Sequence, residues 1–222
     1  MPDGTPPHTA QLLEPKAAPL YSGRAFTRRR RAVRKRMPRN IEIKARISSV
    51  EELLPKVRLI AERGPWEIRQ DDHYFACAGG RLKLRVDAEG AGELIYYRRS
   101  DQLSPRQSFY LRSAIPDPDT LRELLAQALG EVGRIEKQRT LFLCGRTRIH
   151  LDQVTGLGHF LELEVVLAEH EPPAQGIGEA NELLKQLGLD PSQLVAGSYL
   201  DLLAGQRIGA DPPLWAPSRV ES

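Results

Sequence analysis

The sequence predicts an α+β protein built on a closed eight-stranded antiparallel β-barrel, a tunnel with helices packed on its outside. Three observations lead there. Eight extended segments follow one another, most of them separated only by short turns, and eight is about the number that closes a sheet on itself. Nearly every segment sets a clean apolar phase against a charged phase, the period of two that sends alternate residues to opposite faces. The few amphipathic helices carry apolar stripes that need a surface to cover, and the apolar faces of the strands supply one.

The elements follow in order. In "NIEIKARI" (40–47), Ile41, Ile43, Ala45 and Ile47 alternate with Asn40, Glu42, Lys44 and Arg46. "SSVEELLPKVRLIAERG" (48–64) reads as a helix: Ser48 or Ser49 caps it, Glu51 and Glu52 suit its first turn, and Gly64 follows its end. Pro55 inside it predicts a later start. Extended pieces then span 67–77, 80–87, 93–99 and 106–115, broken by "AGG", "AEGAG" and "SDQLSP", which is hairpin chemistry. A second helix covers 117–130, with Asp117 or Asp119 near its cap and Gly130 behind it. Strands at 134–144, 146–154 and 159–168 are divided by Gly145 and "TGLG". A last amphipathic helix at 177–188 leads to "SYLDLL" (198–203).

Charge divides the chain into parts. Residues 1–36 hold nine Lys or Arg against Asp3 and Glu14, which leaves 23 basic and 27 acidic residues in the remainder. The basic pI of about 8.9 therefore belongs to the extension and not to the domain. We expect a disordered, basic, proline-containing extension over 1–37, one domain over 38–204, and a flexible Gly/Pro-rich tail over 205–222. The run "TRRRRAVRKR" (27–36) is the one feature suited to nucleic acid or an anionic surface. No run of about 18 apolar residues exists, so no membrane-spanning helix is expected, and no apolar stretch after a charged start suggests a secretory signal. Cys77 and Cys144 lack CxxC spacing, which argues against a disulfide framework or a zinc site and fits a reducing cytoplasm. A Walker A loop is absent, and "GIG" at 176–178 is too short to replace it.

The polar phases carry the chemistry. Cations dominate the middle strands: Arg81, Lys83 and Arg85; Arg99; Arg106 and Arg112; Lys137 and Arg139; Arg148. Carboxylates pair as Glu162-x-Glu164 and recur at Glu42. Any one such strand reads most simply as facing water. Segregation of the signs across the set argues otherwise, because surface strands mix signs. With helices on the outer, apolar side, the charges look inward, and a dry bore lined by cations would be prohibitively costly. It must hold water and an anionic guest. His73, His150 and His159 are scattered and read as structural; His150 is the best placed of them, sharing Arg148's strand phase. Tyr96, Tyr97 and Tyr110 read as packing or rim residues.

These residues carry a resemblance. "NIEIKAR" resembles the opening ExExK strand of the CYTH superfamily, the triphosphate tunnel metalloenzymes that include class IV adenylyl cyclases and thiamine-triphosphatases. "QDDHYF", "RLKLR", "LIYYRR", "RQSFY", "EKQR", "LDQVTGLGHFLELEV" and "SYLDLL" resemble its later blocks in order, over about residues 38 to 204. The resemblance implies a tunnel that binds a triphosphate on basic side chains, with Mg²⁺ or Mn²⁺ held by glutamates. It places Glu42, Glu162 and Glu164 on the metal-binding carboxylates with Asp152 nearby, and makes Glu42, Lys44, Glu162 and Glu164 the catalytic set. Lys44, Arg46, Lys83, Arg85, Arg99, Arg106, Lys137, Arg139 and Arg148 fall on phosphate-gripping positions. Asn40 departs from the pattern: it stands where the first Glu of ExExK usually sits, and an uncharged amide weakens the case for a second metal.

The substrate expected is a triphosphate-bearing small molecule: ATP, thiamine triphosphate or inorganic tripolyphosphate. A class IV cyclase, which makes cyclic AMP and pyrophosphate, and a hydrolase of the terminal phosphate are both open. The alternatives are a non-catalytic polyphosphate or nucleotide binder, and an RNA-binding barrel aided by the basic extension. A homodimer is one assembly left open. Removal of residues 1–36 should leave folding and turnover intact; a truncated chain that is insoluble would show the extension to be part of the fold.

Overall fold

A computed structural model describes residues 37–206. The remainder of the expected extension and most of the expected tail lie outside the described residues. β1 (Arg39–Ile47), α1 (Val50–Ile60) and β2 (Arg63–Phe75) open the chain, followed by β3 (Arg81–Asp87), β4 (Gly92–Arg99) and β5 (Arg106–Ile115). After α2 (Pro118–Leu129) come β6 (Glu131–Cys144), β7 (Thr147–Val154), β8 (Gly158–Val166) and α3 (Pro173–Leu187). A 3-10 turn (Pro191–Gln193) leads to α4 (Tyr199–Gln206).

The eight strands close into one antiparallel barrel in the order β1-β5-β4-β3-β2-β6-β7-β8. Closure leaves no open sheet edge to satisfy. The apolar phases point outward on the helix-covered side. Ile41, Ile43, Ile149, Leu151, Leu161, Leu163 and Val165 pack with Leu53 and Val57 of α1 and with Ala180, Leu183, Leu184 and Leu187 of α3. Each such side chain contributes roughly 1.5–3 kcal/mol when fully buried. With that face committed to the helices, Glu42, Lys44, Glu162 and Glu164 are turned into the bore.

Among the boundaries that differ from those expected, three have a local cause. α1 begins at Val50 in spite of Pro55, because Ser49 Oγ accepts from the Glu52 amide at 3.1 Å and only one helical hydrogen bond is forfeited inside. β2 begins at Arg63, ahead of the expected 67, since a register shift between Arg63 and Trp66 lets the strand run on along β6 through Gly64-Pro65. Gly64 is required there: its φ is +109°, and a Cβ would meet the Leu141 carbonyl at 2.7 Å. α3 starts at Pro173, where proline suits a first helical turn.

The segment after α3 closes one end of the barrel. The Val195 amide donates to the Lys44 carbonyl at 2.9 Å, and Arg99 donates to the Gly197 carbonyl at 2.8 Å. Tyr199 and Leu200 then pack on Tyr74, Ile135, Val154, Leu157 and Phe160, a second apolar cluster. Leu200 lies so close to Gly133 that a Cβ there would overlap it. Substituting Leu187→Ala, fully buried between α3 and the barrel, should cost about 2–5 kcal/mol in urea unfolding; a loss under about 0.5 kcal/mol would mean that α3 does not hold the barrel's outer core.

Candidate active site

All eight strands contribute side chains to one cavity of about 310 Å³ inside the barrel. Its lining contains eight Lys or Arg (Lys44, Lys83, Arg85, Arg99, Arg112, Lys137, Arg139, Arg148) against three carboxylates (Glu42, Glu162, Glu164). Four uncharged donors or acceptors facing it, Asn40 Oδ1, Gln70 Oε1, Ser108 Oγ and His150 Nδ1, are buried without a hydrogen-bond partner in the chain. Buried polar atoms are nearly always satisfied, so a cluster of orphans around a cavity marks where water or a ligand completes the structure.

The acidic wall is built by strand register. Glu42 stands opposite Glu164, and Glu164 opposite Arg148; Lys44 stands opposite Glu162, and Glu162 opposite His150. Directly opposed residues share a face, so this grid collects three carboxylates and an imidazole. His150 Nδ1 lies 3.6 Å from Glu162 Oε2 and 3.9 Å from Glu164 Oε1. Ligand atoms of His150, Glu162 and Glu164 fall within 4.8 Å of one another, a spacing that one metal ion can bridge. Each glutamate also has a cationic partner. Lys44 Nζ donates to Glu162 Oε1 at 3.0 Å and Arg139 Nη2 to Glu162 Oε2 at 2.8 Å; Arg148 Nη1 donates to Glu164 at 3.0 Å, and Arg99 Nη1 stands 3.4 Å from Glu42.

These contacts set the protonation states. Burial opposes ionisation of Glu162, but Lys44, His150 and Arg139 outweigh it and hold the carboxyl well below its usual range. Glu42 goes the other way: burial pushes it up, Glu164 and Glu162 add to the rise, and Arg99 only partly offsets it. Burial, with Arg139 beside it, lowers His150, which favours the neutral imidazole that ligates metals.

The basic wall is organised by Asp72, which is fully buried behind it. Its oxygens accept from Arg85 Nε at 2.7 Å and Lys83 Nζ at 2.8 Å, with Lys137 Nζ at 3.8 Å. Burial would raise its pKa, yet Arg85, Lys83 and Lys137 together drive it well down. Lys137 has no such close partner. Burial and then Arg139 bring it to about 7, and burial and then Arg85 bring Lys83 to about 8.

Residues 38–199 match the CYTH domain family. This chain belongs to that family. A Methanocaldococcus jannaschii protein named "Putative adenylate cyclase" is 24% identical over 170 residues, covering 73% of this CYTH chain and 97% of that relative. A solved Pyrococcus horikoshii structure, 23% identical, superposes with a TM-score of 0.67 over 74% of this chain and 99% of its own. A Hippeastrum protein, called a "Putative adenylyl cyclase" with a dominant triphosphatase activity, is 16% identical, with a TM-score of 0.55 over 77% of this chain and 96% of its own. These likenesses to solved structures are likenesses of fold.

Within the CYTH barrel, ten of the residues singled out in the sequence line the bore together: Glu42, Lys44, Lys83, Arg85, Arg99, Lys137, Arg139, Arg148, Glu162 and Glu164. Three do not reach it. Arg46 has the inward phase but sits at the closed end, where its guanidinium lies 4.8 Å over the Phe160 ring and donates to the Leu157 carbonyl at 2.7 Å. Arg106 is buried against the closing segment, donating to the Gln102 carbonyl and, at 3.3 Å, to Gly197. Asp152 stands apart from the His150, Glu162 and Glu164 group. Arg139 Nε and Nη2 occupy its two oxygens at 2.6 Å each, and the Tyr199 hydroxyl adds a bond at 2.8 Å. It is a counter-ion that orients Arg139, where a metal ligand was expected.

The sequence reading missed Asp72, Gln70 and Tyr199, and ranked His150 as structural. The signal for two of these was present: Gln70, Asp72 and Tyr74 share one phase of "QDDHYF", the phase in which Tyr74 and Gln70 line the bore. Tyr199 lies just after a loop, outside any strand period. Lys137 carries charge below about pH 7 and loses it above. Tripolyphosphate affinity measured by calorimetry should therefore fall as pH rises from about 7 to about 8, by up to about tenfold, and Lys137→Met should flatten that fall. An identical pH profile in the variant would remove Lys137 from the phosphate contacts.

Proposed function

We propose that this CYTH chain is a divalent-metal-dependent enzyme that holds a triphosphate in the bore and cleaves it by attack of water at phosphorus. The observation that carries the reading is the lining itself, with eight cations against three carboxylates in a closed barrel. Such an excess of positive charge around a cavity calls for a compact polyanion, and at about 310 Å³ the cavity is near the lower end of the roughly 300–1,000 Å³ typical of small-molecule sites. That size suits the phosphate chain, with any organic group towards the open end.

The residues present fit a metal. Glu162 and Glu164 offer oxygens, Glu42 stands beside Glu164, and His150 Nδ1 is an orphaned buried nitrogen aimed at both carboxylates. Mg²⁺ or Mn²⁺ held there would neutralise charge on phosphoryl oxygens and acidify a bound water. The chain's own work is positioning and charge. Asp72 fixes Arg85 and Lys83 as one donor face, Asp152 aims Arg139, and the guanidinium groups can chelate phosphate oxygens in pairs. Phosphoryl transfer needs little more from protein than such placement.

A second reading, cyclisation of ATP by its ribose 3′-hydroxyl with loss of pyrophosphate, draws support from the name of the M. jannaschii relative. Incubation with ATP, thiamine triphosphate or tripolyphosphate plus either metal, followed by phosphorus NMR, separates the readings: orthophosphate marks the hydrolase and cyclic AMP with pyrophosphate the cyclase. Retained triphosphate affinity in EDTA without turnover would instead mark a binder. Glu162→Gln and Glu164→Gln should each lower metal-dependent turnover by about 100-fold or more while circular dichroism shows a folded barrel. Full turnover in both variants contradicts the metal assignment.

A further inference from the structure

The cations of the bore are held in two different ways. Arg85 and Arg139 each rest in the fork of a buried carboxylate, Asp72 and Asp152, with bonds of 2.6 to 2.9 Å. Such a pair fixes a guanidinium firmly and cancels much of its charge. Lys137 has no partner of that kind: its Nζ stands 3.8 Å from Asp72 and 3.9 Å from Asp152. Lys44 has a close carboxylate in Glu162, at 3.0 Å, but Glu162 is also among the groups that the proposed metal would draw on.

What these two lysines share is an aromatic ring. Lys44 Nζ lies 3.7 Å from the centroid of the Tyr199 ring and Lys137 Nζ lies 5.1 Å from it. Both fall within the roughly 6 Å over which the negative face of a ring attracts a cation. Among the residues that line the cavity, Tyr199 and Ser198 alone lie outside the strands. The ring is also locked in place. It is buried, Phe160 meets it edge-on with centroids 5.0 Å apart, and its hydroxyl donates to Asp152 at 2.8 Å. A ring face holds an ammonium group from one side without neutralising it, so the N–H donors on the other sides stay available to an anion.

We propose that Tyr199 is a positioning residue whose ring seats the ammonium groups of Lys44 and Lys137 in the bore and leaves their charge free for an anionic guest. This deepens the proposed function and rests on it. A carboxylate in the same place would pin the lysines as well but would repel a phosphate chain. An aliphatic side chain would repel nothing and hold nothing. When a metal takes Glu162, the ring is what keeps the Lys44 ammonium where it stands.

The test is the affinity of the whole chain for the imido-bridged, hydrolysis-resistant analogue of tripolyphosphate, read by calorimetry in EDTA and in parallel with Mg²⁺. Tyr199→Leu should weaken binding about tenfold, and Tyr199→Phe, which keeps the ring, should recover most of that loss. With Lys44→Met already in place, the Tyr199→Leu step should shrink to about threefold or less, because the ring then has only the more distant Lys137 to hold. An undiminished affinity in Tyr199→Leu, or a step of the same size in the Lys44→Met background, would overturn the seat while leaving the triphosphate reading in place. A natural chain that binds the analogue under neither condition would remove both. A second measurement needs no Tyr199 variant to fold. In the chain carrying isotope-labelled lysine, the ring current should move the ε-methylene protons of Lys44, assigned with Lys44→Met, upfield of those of the exposed Lys185. Protons of Lys44 that coincide with those of Lys185 would also overturn the seat.

Discussion

Charge removed from water has to be matched, and in this barrel the matching determines where every ionic side chain can stand. Asp72 and Asp152 are wholly buried yet ionised, because each is pinned between cations that outweigh the penalty of desolvation. Neither of those carboxylates is among the residues that line the cavity. Their task is to make Lys83, Arg85, Arg139 and, more weakly, Lys137 tolerable inside a closed sheet and to fix where they point. Without such anchors the basic wall would be driven towards neutral lysines, the direction in which Lys137 and Lys83 have already moved.

The same rule governs the acidic wall, with a different result. Glu42, Glu162 and Glu164 are answered by Arg99, Lys44, Arg139 and Arg148, groups that themselves line the cavity. Those pairs are exchangeable. Under the proposed function, a metal ion at the carboxylates would release the cations, and a polyphosphate at the cations would release the carboxylates. Each guest would then prepare the place of the other, which would link metal and triphosphate thermodynamically through side chains that touch both.

Much of this architecture can be read from alternation. Hairpin chemistry and a two-residue period give eight strands, and the apolar stripes of α1 and α3 decide which phase turns inward. What alternation does not encode is height along the bore. Arg46, Arg106 and Asp152 have the same phase as their neighbours Lys44, Ser108 and His150, but barrel tilt and register carry them to the closed end or behind another side chain. Phase is local to a strand, whereas height depends on how all eight are staggered. The first residues of β2 were hidden for a local reason: Gly64-Pro65 has the composition of a turn, and only the bulge against β6 makes it strand. His150 illustrates a third limit, since nothing in "RIHLDQV" states that its ring will meet two glutamates of the following strand.

The stopper formed by Val195 to Leu200 has a kinetic corollary. Arg99 and Arg106 clamp the Gly197 carbonyl, and Tyr199 fills the base of the bore beneath Lys44. Under the proposed function, a bore stoppered at that end would load substrate and release leftover phosphates past its uncovered end, one after the other. Pyrophosphate lingering on the cations would bar the next molecule, and the pace of the cycle would then be set by unloading.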